Sequence, residues 1–355
     1  MNLIFTRSPY FISVNETGQT GAKVKLYIYN KYVPVPTTPT YIMSKNIPSS
    51  TQTELNFNIS NYVREFINAI QPYDFGGVVE EEDPANWCFV KVERYKTVST
   101  TDTLLDTTIY VCTNGYNTYL NGANVILTDH IVSLLDATKT LYYNRIESYP
   151  YFNILTDHNI GVKYSKLDGT STSYHAFTPS DITMYAVPFS ENSSNYSNGN
   201  LVQIIDTTVY PEKVIDTFKV IPLCENKYTP VRCAFTNALG GWQVLTFFKA
   251  QTNNINVKGS SYKMMPSALY YDPATPQSKS FNINGGQTVK LNTGWVDENY
   301  SDIITQLLLS ETILLDGKPV EIKTQSSSLK TSLQDKMINY EMEFEYAFNL
   351  INDVI

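Results

Sequence analysis

The stretch of sequence that decides the fold runs from residue 340 to residue 348, Tyr340-Glu341-Met342-Glu343-Phe344-Glu345-Tyr346-Ala347-Phe348. Aromatic residues and a methionine occupy every second position, and three glutamates lie between them. Side chains of a β-strand alternate between two faces, whereas a helix would distribute both sets around its circumference. The pattern therefore predicts a strand with one apolar face on a core and one acidic face in water.

The same alternation occurs near the start of the chain, in Lys23-Val24-Lys25-Leu26-Tyr27-Ile28-Tyr29. The composition agrees with it, because the chain contains 27 Tyr and 16 Phe but only 3 Trp and 3 His, and 17% of its residues are charged. Aromatic and β-branched residues suit a pleated, half-buried surface. We expect a mainly β fold of tandem antiparallel β-sandwich domains, Ig-like or similar, with a few short helices.

A chain of 355 residues is long enough for two or three domains. Residues 1–75 are predicted to form an N-terminal β-sandwich unit closed by a short helix, with Ser60 as its cap and Pro72 as its end. Residues 76–235 are predicted to form one or more central β-rich domains. Residues 236–355 are predicted to form a C-terminal β domain with one short helix, capped by Ser301, and a final long strand.

Several local signals refine this prediction. Thr128 is positioned to cap a third helix that carries Ile131, Leu134 and Leu135. Hairpin turns are predicted at Asp316-Gly317 and around Asn284-Gly285-Gly286-Gln287, because Gly, Asn and Asp accept positive φ. The glycines of Asn237–Trp242 indicate a further turn between two strands. The acidic run Glu80–Asp83 is interpreted as a solvated loop rather than a calcium site, since it lacks regular ligand spacing.

Charge and composition exclude several classes of function. The formal net charge is −8 and no basic stripe is present, so sequence-specific nucleic acid binding is not expected. No stretch approaches the length of a membrane span, and the first residues lack a signal-peptide pattern, so no membrane partner is expected. The four cysteines, Cys88, Cys112, Cys224 and Cys233, are too widely spaced for a disulfide framework and are interpreted as reduced, mostly buried thiols.

Motifs that carry chemistry are missing from the sequence. It contains no GxSxG, GxxxxGK[ST], HExxH or GxGxxG pattern. We therefore expect that the chain is not an enzyme, and we assign no catalytic, cofactor-binding or metal-binding residue and no cofactor.

A repeated pentapeptide is the most specific local feature. Ile126-Leu127-Thr128-Asp129-His130 recurs as Ile154-Leu155-Thr156-Asp157-His158. If the copies lay side by side, Asp129, His130, Asp157 and His158 would supply ligands for a metal ion. The favoured interpretation is structural: each copy ends a strand, and its Thr or Asp caps the following turn.

Three segments carry a resemblance to a known group of proteins. They are Thr6–Ile12 (TRSPYFI), Asn237–Phe248 (NALGGWQVLTFF) and Lys336–Asn352 (KMINYEMEFEYAFNLIN). The chain resembles virion proteins of tailed phages that infect Bacteroidetes, most nearly those of the crAss-like group. Such proteins are built from β-sandwich domains and form rings or collars below the portal, or the tail baseplate.

The resemblance implies a structural subunit that links portal and tail components. Its partners would be copies of itself in a ring of twelve-fold or six-fold symmetry, together with neighbouring tail, portal or other ring proteins. It would lie in the tail region of the virion after assembly in the bacterial cytoplasm.

Two other functions remain open. A receptor-binding or glycan-binding tail protein would have a concave, exposed aromatic cluster. A virion-associated glycan hydrolase would have a cleft with two facing carboxylates, which the sequence does not single out among its 34 acidic residues.

Overall fold

The computed structural model describes residues 1–48, 53–67, 80–135, 140–144, 150–170, 172–189, 198–225, 227–265, 269–270, 272–324 and 337–352. Strands account for 56% of the chain and helices for 6%, which confirms the mainly β prediction. The strands, in chain order, are β1 Leu3–Phe5, β2 Phe11–Val14, β3 Gly21–Tyr29, β4 Tyr41–Asn46, β5 Leu55–Asn58, β6 Glu80–Glu81, β7 Trp87–Val98, β8 Thr101–Thr113, β9 Ile126–Leu127, β10 Ile131–Ser133, β11 Thr140–Asn144, β12 Tyr151–Thr156, β13 Ile160–Lys166, β14 Thr172–Phe177, β15 Thr183–Pro188, β16 Asn200–Asp206, β17 Lys213–Leu223, β18 Val231–Thr236, β19 Trp242–Phe247, β20 Thr252–Lys263, β21 Ser278–Asp297, β22 Ile313–Leu315, β23 Lys318–Ile322 and β24 Met337–Tyr346. The helices are α1 Ser60–Arg64 and α2 Tyr300–Leu308, with 3-10 turns at Pro84–Asn86 and Tyr119–Asn121.

The strands form five sheets. Their orders are β4-β3-β7-β8-β1-β9, β10-β12-β15-β6, β11-β17-β16-β13-β14, β19-β18-β22-β23-β24-β21-β20 and β2-β5. Most pairings are antiparallel, but β1 pairs with β8 and β11 pairs with β17 in parallel. Parallel neighbours need a long connection between them, and both pairs join strands that are far apart in the sequence.

Strand β7 of the six-stranded sheet buries alternating side chains on both faces of the sheet. On β7, Cys88 and Val90 face a core that also contains residues of β2, β5 and α1, whereas Trp87 and Phe89 face a second core. That second core is completed by Leu134, Leu155 and other residues around β10, β12 and β15. Because successive strand residues point to opposite faces, the sheet forms the middle of a stack.

The four-stranded sheet is also covered on both sides, since every residue of β12 is buried. Leu155 belongs to the core under the six-stranded sheet. Phe152, on the opposite face by alternation, meets Phe218 of β17 edge to face, with ring centroids 4.9 Å apart. The five-stranded sheet is therefore the next layer of the stack.

The terminal stretch forms the predicted strand β24, which lies between β21 and β23. Tyr340, Met342 and Phe344 are buried, Tyr346 is partly buried, and Phe348 lies beyond the strand and is exposed. On the other face, Lys290 pairs with Glu341 and Lys323 with Glu345. The Lys290 ammonium holds the pKa of the Glu341 carboxyl below its ordinary value.

Contacts divide the chain into two compact units. One consists of Met1–Cys224, Ala234–Leu245 and Asn299–Thr312, and the other of Glu225–Cys233, Thr246–Glu298 and Ile313–Ile355. The ranges 1–75, 76–235 and 236–355 stay a prediction about separately folding domains.

Two of the predicted turns are confirmed and one is wrong. Leu315 of β22 pairs with Lys318 of β23, and both Asp316 and Gly317 between them have positive φ. The Asn237–Trp242 turn likewise joins β18 to β19. Residues 284–287, in contrast, continue β21 and pair with β20. The glycines there permit a close approach, because Leu350 N donates to the carbonyl oxygen of Gly285.

The predicted helix after Thr128 is also wrong, because Ile131–Ser133 forms β10 and pairs with β12. A short apolar run fits either a strand or a helix, and the neighbouring strand decides between them. Ser60 and Ser301 lie inside α1 and α2, after Ile59 and Asn299, and do not cap them. Pro72 lies outside the described residues.

No disulfide joins the four cysteines in the part of the chain that the structure describes; Cys88, Cys112 and Cys233 are buried and Cys224 is exposed. Among the described residues, no helix combines the length and apolar character that crossing a membrane requires.

Candidate functional site

The pairing of β10 with β12 brings the two pentapeptide copies together. Ile131 lies opposite Thr156 in the last pair of this antiparallel ladder. The next residues outward, His130 and Asp157, therefore lie opposite each other just beyond the strand ends. The backbone N–H of Asp157 donates to the carbonyl oxygen of His130 at 3.1 Å. The strand ends thus place the last residues of one copy against the last residues of the other.

His130, Asp157 and His158 form a compact group whose potential ligand atoms all lie within 4.8 Å of one another. His130 Nδ1 lies 3.0 Å from Asp157 Oδ1. The two imidazole rings stack face to face, with centroids 4.0 Å apart and planes inclined by 10°. Asp129, the fourth residue of the predicted set, does not belong to this group.

A second carboxylate, Asp206 at the end of β16, completes the arrangement. His158 Nδ1 lies 3.0 Å from Asp206 Oδ2. Burial raises the pKa of Asp206, but the hydrogen bonds from His158 and from Thr208 lower this pKa by more than burial raises it. The pKa of Asp206 is therefore lower than its ordinary value. An ionised carboxylate only accepts hydrogen bonds, so His158 Nδ1 donates. The sequence interval of 48 residues between these two gives no signal that they meet.

The amino group of Met1 is also close to the group, 3.3 Å from Asp157 Oδ2. Asp157 therefore offers one oxygen to this ammonium and the other to His130. His130 is 56% exposed, whereas Asp206 is only 9% exposed, so the group opens to solvent on the His130 side.

The turn-capping interpretation of the repeat holds for its second copy. β12 ends at Thr156, whose Oγ1 accepts from the backbone N–H of His158 at 3.0 Å and donates to the His158 carbonyl oxygen at 2.8 Å. This turn fixes the backbone of His158, whose imidazole is partly buried.

A buried polar network lies farther along β12. Asn153 Nδ2 donates to Glu82 Oε2 at 2.6 Å, and Asn153 Oδ1 accepts from Trp242 N at 2.9 Å. Asn86 Nδ2 donates to Glu82 Oε1. The acidic run is therefore not a solvated loop, because Glu80–Glu81 forms β6 and Glu82 anchors a network of side-chain amides.

A two-stranded arm, defined as residues 252–287, presents a second candidate surface. It consists of β20 and the first half of β21, which pair from Ile255–Gln287 to Lys263–Ser278. β20 is the last strand of its sheet, and each of its residues is exposed. Ile255, Val257 and Ile283 are 61%, 66% and 48% exposed, and the strand alternation and register put them on one face.

The arm differs in charge from the rest of the chain. It contains Lys258, Lys263, Lys279 and a single acidic residue, Asp272, which gives a formal charge of +2. Because the formal net charge of the whole chain is −8, the remainder of the chain carries a formal charge of −10. A basic arm and an acidic remainder are complementary between two copies of the chain.

A groove of about 760 Å³ lies beside β4 and α1. Its lining includes Phe57, Asn58, Asn61, Tyr62 and Glu65. Glu65 is the one carboxylate among the lining residues that the structure describes, so a facing carboxylate pair is not formed by them.

No family model matches this sequence, and a comparison with curated proteins gives no match.

Proposed function

We propose that this chain is a structural subunit of a phage tail-associated ring, collar or baseplate, which binds copies of itself and neighbouring tail or portal proteins. The observation that carries the proposal is the arm, residues 252–287, whose apolar side chains lie in solvent. A two-stranded ribbon is at best marginally stable alone. Its exposed apolar face gains stability when another protein covers it.

A second copy of the chain is the partner that fits the arm best. β20 is the edge strand of its sheet, so a strand from a neighbour can extend the sheet by pairing with the outer side of β20. The positive charge of the arm complements the negative remainder of another copy. An arm that binds a different surface of the next subunit makes a heterologous contact, and repetition of such a contact closes a ring when the rotation per subunit divides a full turn.

Electron microscopy of the purified chain at high concentration tests the proposal. We expect closed rings or arcs of subunits, and we expect Val257→Glu to remove them by placing a charge on the apolar face. Leu120→Glu is the matched control, because Leu120 is 93% exposed in a 3-10 turn outside the arm. Rings that persist in Val257→Glu would contradict the role of the arm.

The groove beside α1 favours glycan binding as a second candidate function. Tyr62 is 36% exposed, and its ring centroid lies 4.9 Å from that of Tyr41. Side-chain amides such as those of Asn58 and Asn61 can hydrogen-bond to sugar hydroxyls, and an aromatic ring beside them can pack against the apolar face of a sugar.

A titration with oligosaccharides of bacterial capsules tests this candidate. We expect Tyr62→Ala to abolish binding and Tyr119→Ala, which changes a fully exposed tyrosine elsewhere, to leave it unchanged. The absence of oligosaccharide binding by the unaltered chain would contradict the glycan-binding hypothesis.

A further inference from the structure

The histidines of this chain are few and unevenly placed. Of the three, His130 and His158 stack on each other beside Asp157, and His175 lies on β14. We propose that His130, Asp157 and His158 bind one divalent transition-metal ion, of which Zn²⁺ is the representative. This inference does not depend on the assembly role proposed above.

The residue types are those that such an ion prefers. Imidazole nitrogen and carboxylate oxygen are common ligands of zinc, with bonds of about 2.0–2.2 Å. Two ligand atoms of a tetrahedral ion are thus separated by about 3.3–3.6 Å. The potential ligand atoms of the group lie within 4.8 Å of one another, so small side-chain rotations bring them into range.

The surroundings prepare one of the imidazoles for ligation. Asp206 accepts a hydrogen bond from His158 Nδ1, which leaves the lone pair of the neutral ring on Nε2. A metal-ligating histidine usually has such a carboxylate on its other nitrogen, which fixes the ring and increases its basicity. Thr208 N donates to Asp206 Oδ1 at 2.9 Å and holds that carboxylate in place.

The charge and the access also fit a cation. Two carboxylates, Asp157 and Asp206, lie within 3.0 Å of the two rings. The Met1 ammonium competes with a metal ion for Asp157, but it contacts Oδ2 while Oδ1 faces His130. Three protein ligands leave the fourth position of a tetrahedral ion for water.

The test uses the full chain after treatment with EDTA and dialysis. Isothermal titration with ZnCl₂ is expected to show one ion per chain, and CoCl₂ is expected to give the visible absorption bands of a tetrahedral site. No heat of binding together with no cobalt spectrum would overturn the proposal.

Variants identify the ligands. We expect His130→Ala and His158→Ala each to lose the cobalt spectrum and Asp206→Asn, which removes a positioning residue, to weaken zinc binding by about 10-fold to 100-fold. His175→Ala is the matched control and should bind as the unaltered chain does. Binding of unaltered strength in His130→Ala would refute the assignment.

Circular dichroism and thermal unfolding in EDTA show whether each variant folds. His130 is more exposed than His158, so His130→Ala keeps the test decisive if His158→Ala fails to fold.

Discussion

Asn237 is fully buried in the turn between β18 and β19, and its side chain makes four hydrogen bonds. Its Nδ2 donates to Leu134 O at 2.6 Å and to Gln243 Oε1 at 3.1 Å, and its Oδ1 accepts from Leu239 N and Gly241 N. Asn237→Ala leaves these groups without partners in a place that water does not reach. We expect a loss of about 1–3 kcal/mol in the free energy of unfolding, measured by urea denaturation.

Asn339→Ala is the control for this change. Asn339 is exposed on β24, and its removal should alter the free energy of unfolding by no more than about 0.5 kcal/mol. Equal losses in the two variants would contradict the assignment of a special role to Asn237.

Glu82 gives a prediction about pH. Burial raises its pKa, while hydrogen bonds from Asn153, Asn86 and the backbone of Asp83 oppose that rise without cancelling it. The folded state therefore holds a proton that the unfolded state releases at lower pH, so this group makes the fold less stable as the pH increases from about 4.3 through the raised pKa.

Glu82→Gln removes this titration. We expect the free energy of unfolding of the variant, relative to the unaltered chain, to increase between pH 4.5 and pH 7.5, as measured by denaturation at several pH values. Other carboxyl groups are common to both proteins and cancel in the difference. Parallel pH profiles would show that the pKa of Glu82 is not raised.

The sequence predicts part of the histidine group and misses the rest. The repeated pentapeptide points to His130, Asp157 and His158, and the structure brings them together. Asp206 could not be found in this way, because its position depends on the pairing of β16 with β13, and no local pattern specifies that pairing. Asp129 was predicted with equal weight, because the identity of a repeat does not tell which of its side chains turn towards the partner copy.

Phe344 and Phe348 test the alternation of the terminal strand. Phe344 is fully buried, with its ring centroid 5.7 Å from that of Phe247, whereas Phe348 is 44% exposed. Phe344→Ala removes a core side chain and should cost about 3–5 kcal/mol in the free energy of unfolding.

Phe348→Ala should change this free energy by no more than about 0.5 kcal/mol, because the side chain lies beyond the end of β24. Similar costs for the two substitutions would contradict the observed end of the strand. Thermal unfolding followed by calorimetry is the measurement.

Two glycines distinguish a turn from a strand. Gly317 has a φ of 77° in the β22–β23 hairpin, where a Cβ is strained, so Gly317→Ala should cost about 1–2 kcal/mol. Gly286 continues β21, and a Cβ there would meet only the end of the flexible Glu345 side chain at 3.1 Å.

We therefore expect Gly286→Ala to be neutral or slightly stabilising in urea denaturation, since alanine restricts the unfolded chain more than glycine does. A loss in the free energy of unfolding as large as that of Gly317→Ala would contradict the continuous strand and would support the turn that the sequence predicts at residues 284–287.

The sequence predicts strands better than it predicts the partners that they choose. The alternation in Tyr340–Tyr346 specifies a strand by itself, because one face must be covered. Ile131–Ser133 has no such pattern, and its pairing with β12 makes it a strand. The glycines of 284–287 fit a turn locally, but long-range pairing with β20 extends β21 through them.

The two units differ in how their strands are covered. The first unit buries both faces of β7, so that Cys88 and Val90 lie in one core and Trp87 and Phe89 in another. The arm has the opposite character, because its strands are long, paired mainly with each other and exposed. We infer from this contrast that the chain completes its stabilisation in an assembly.

The mass of the chain in solution tests this inference most directly. One subunit has a mass of 40.2 kDa. We predict that sedimentation equilibrium of the unaltered protein gives a multiple of this mass that increases with concentration, and that Val257→Glu gives the mass of one subunit. A mass of one subunit for the unaltered protein at every concentration would contradict the proposal that it assembles with copies of itself.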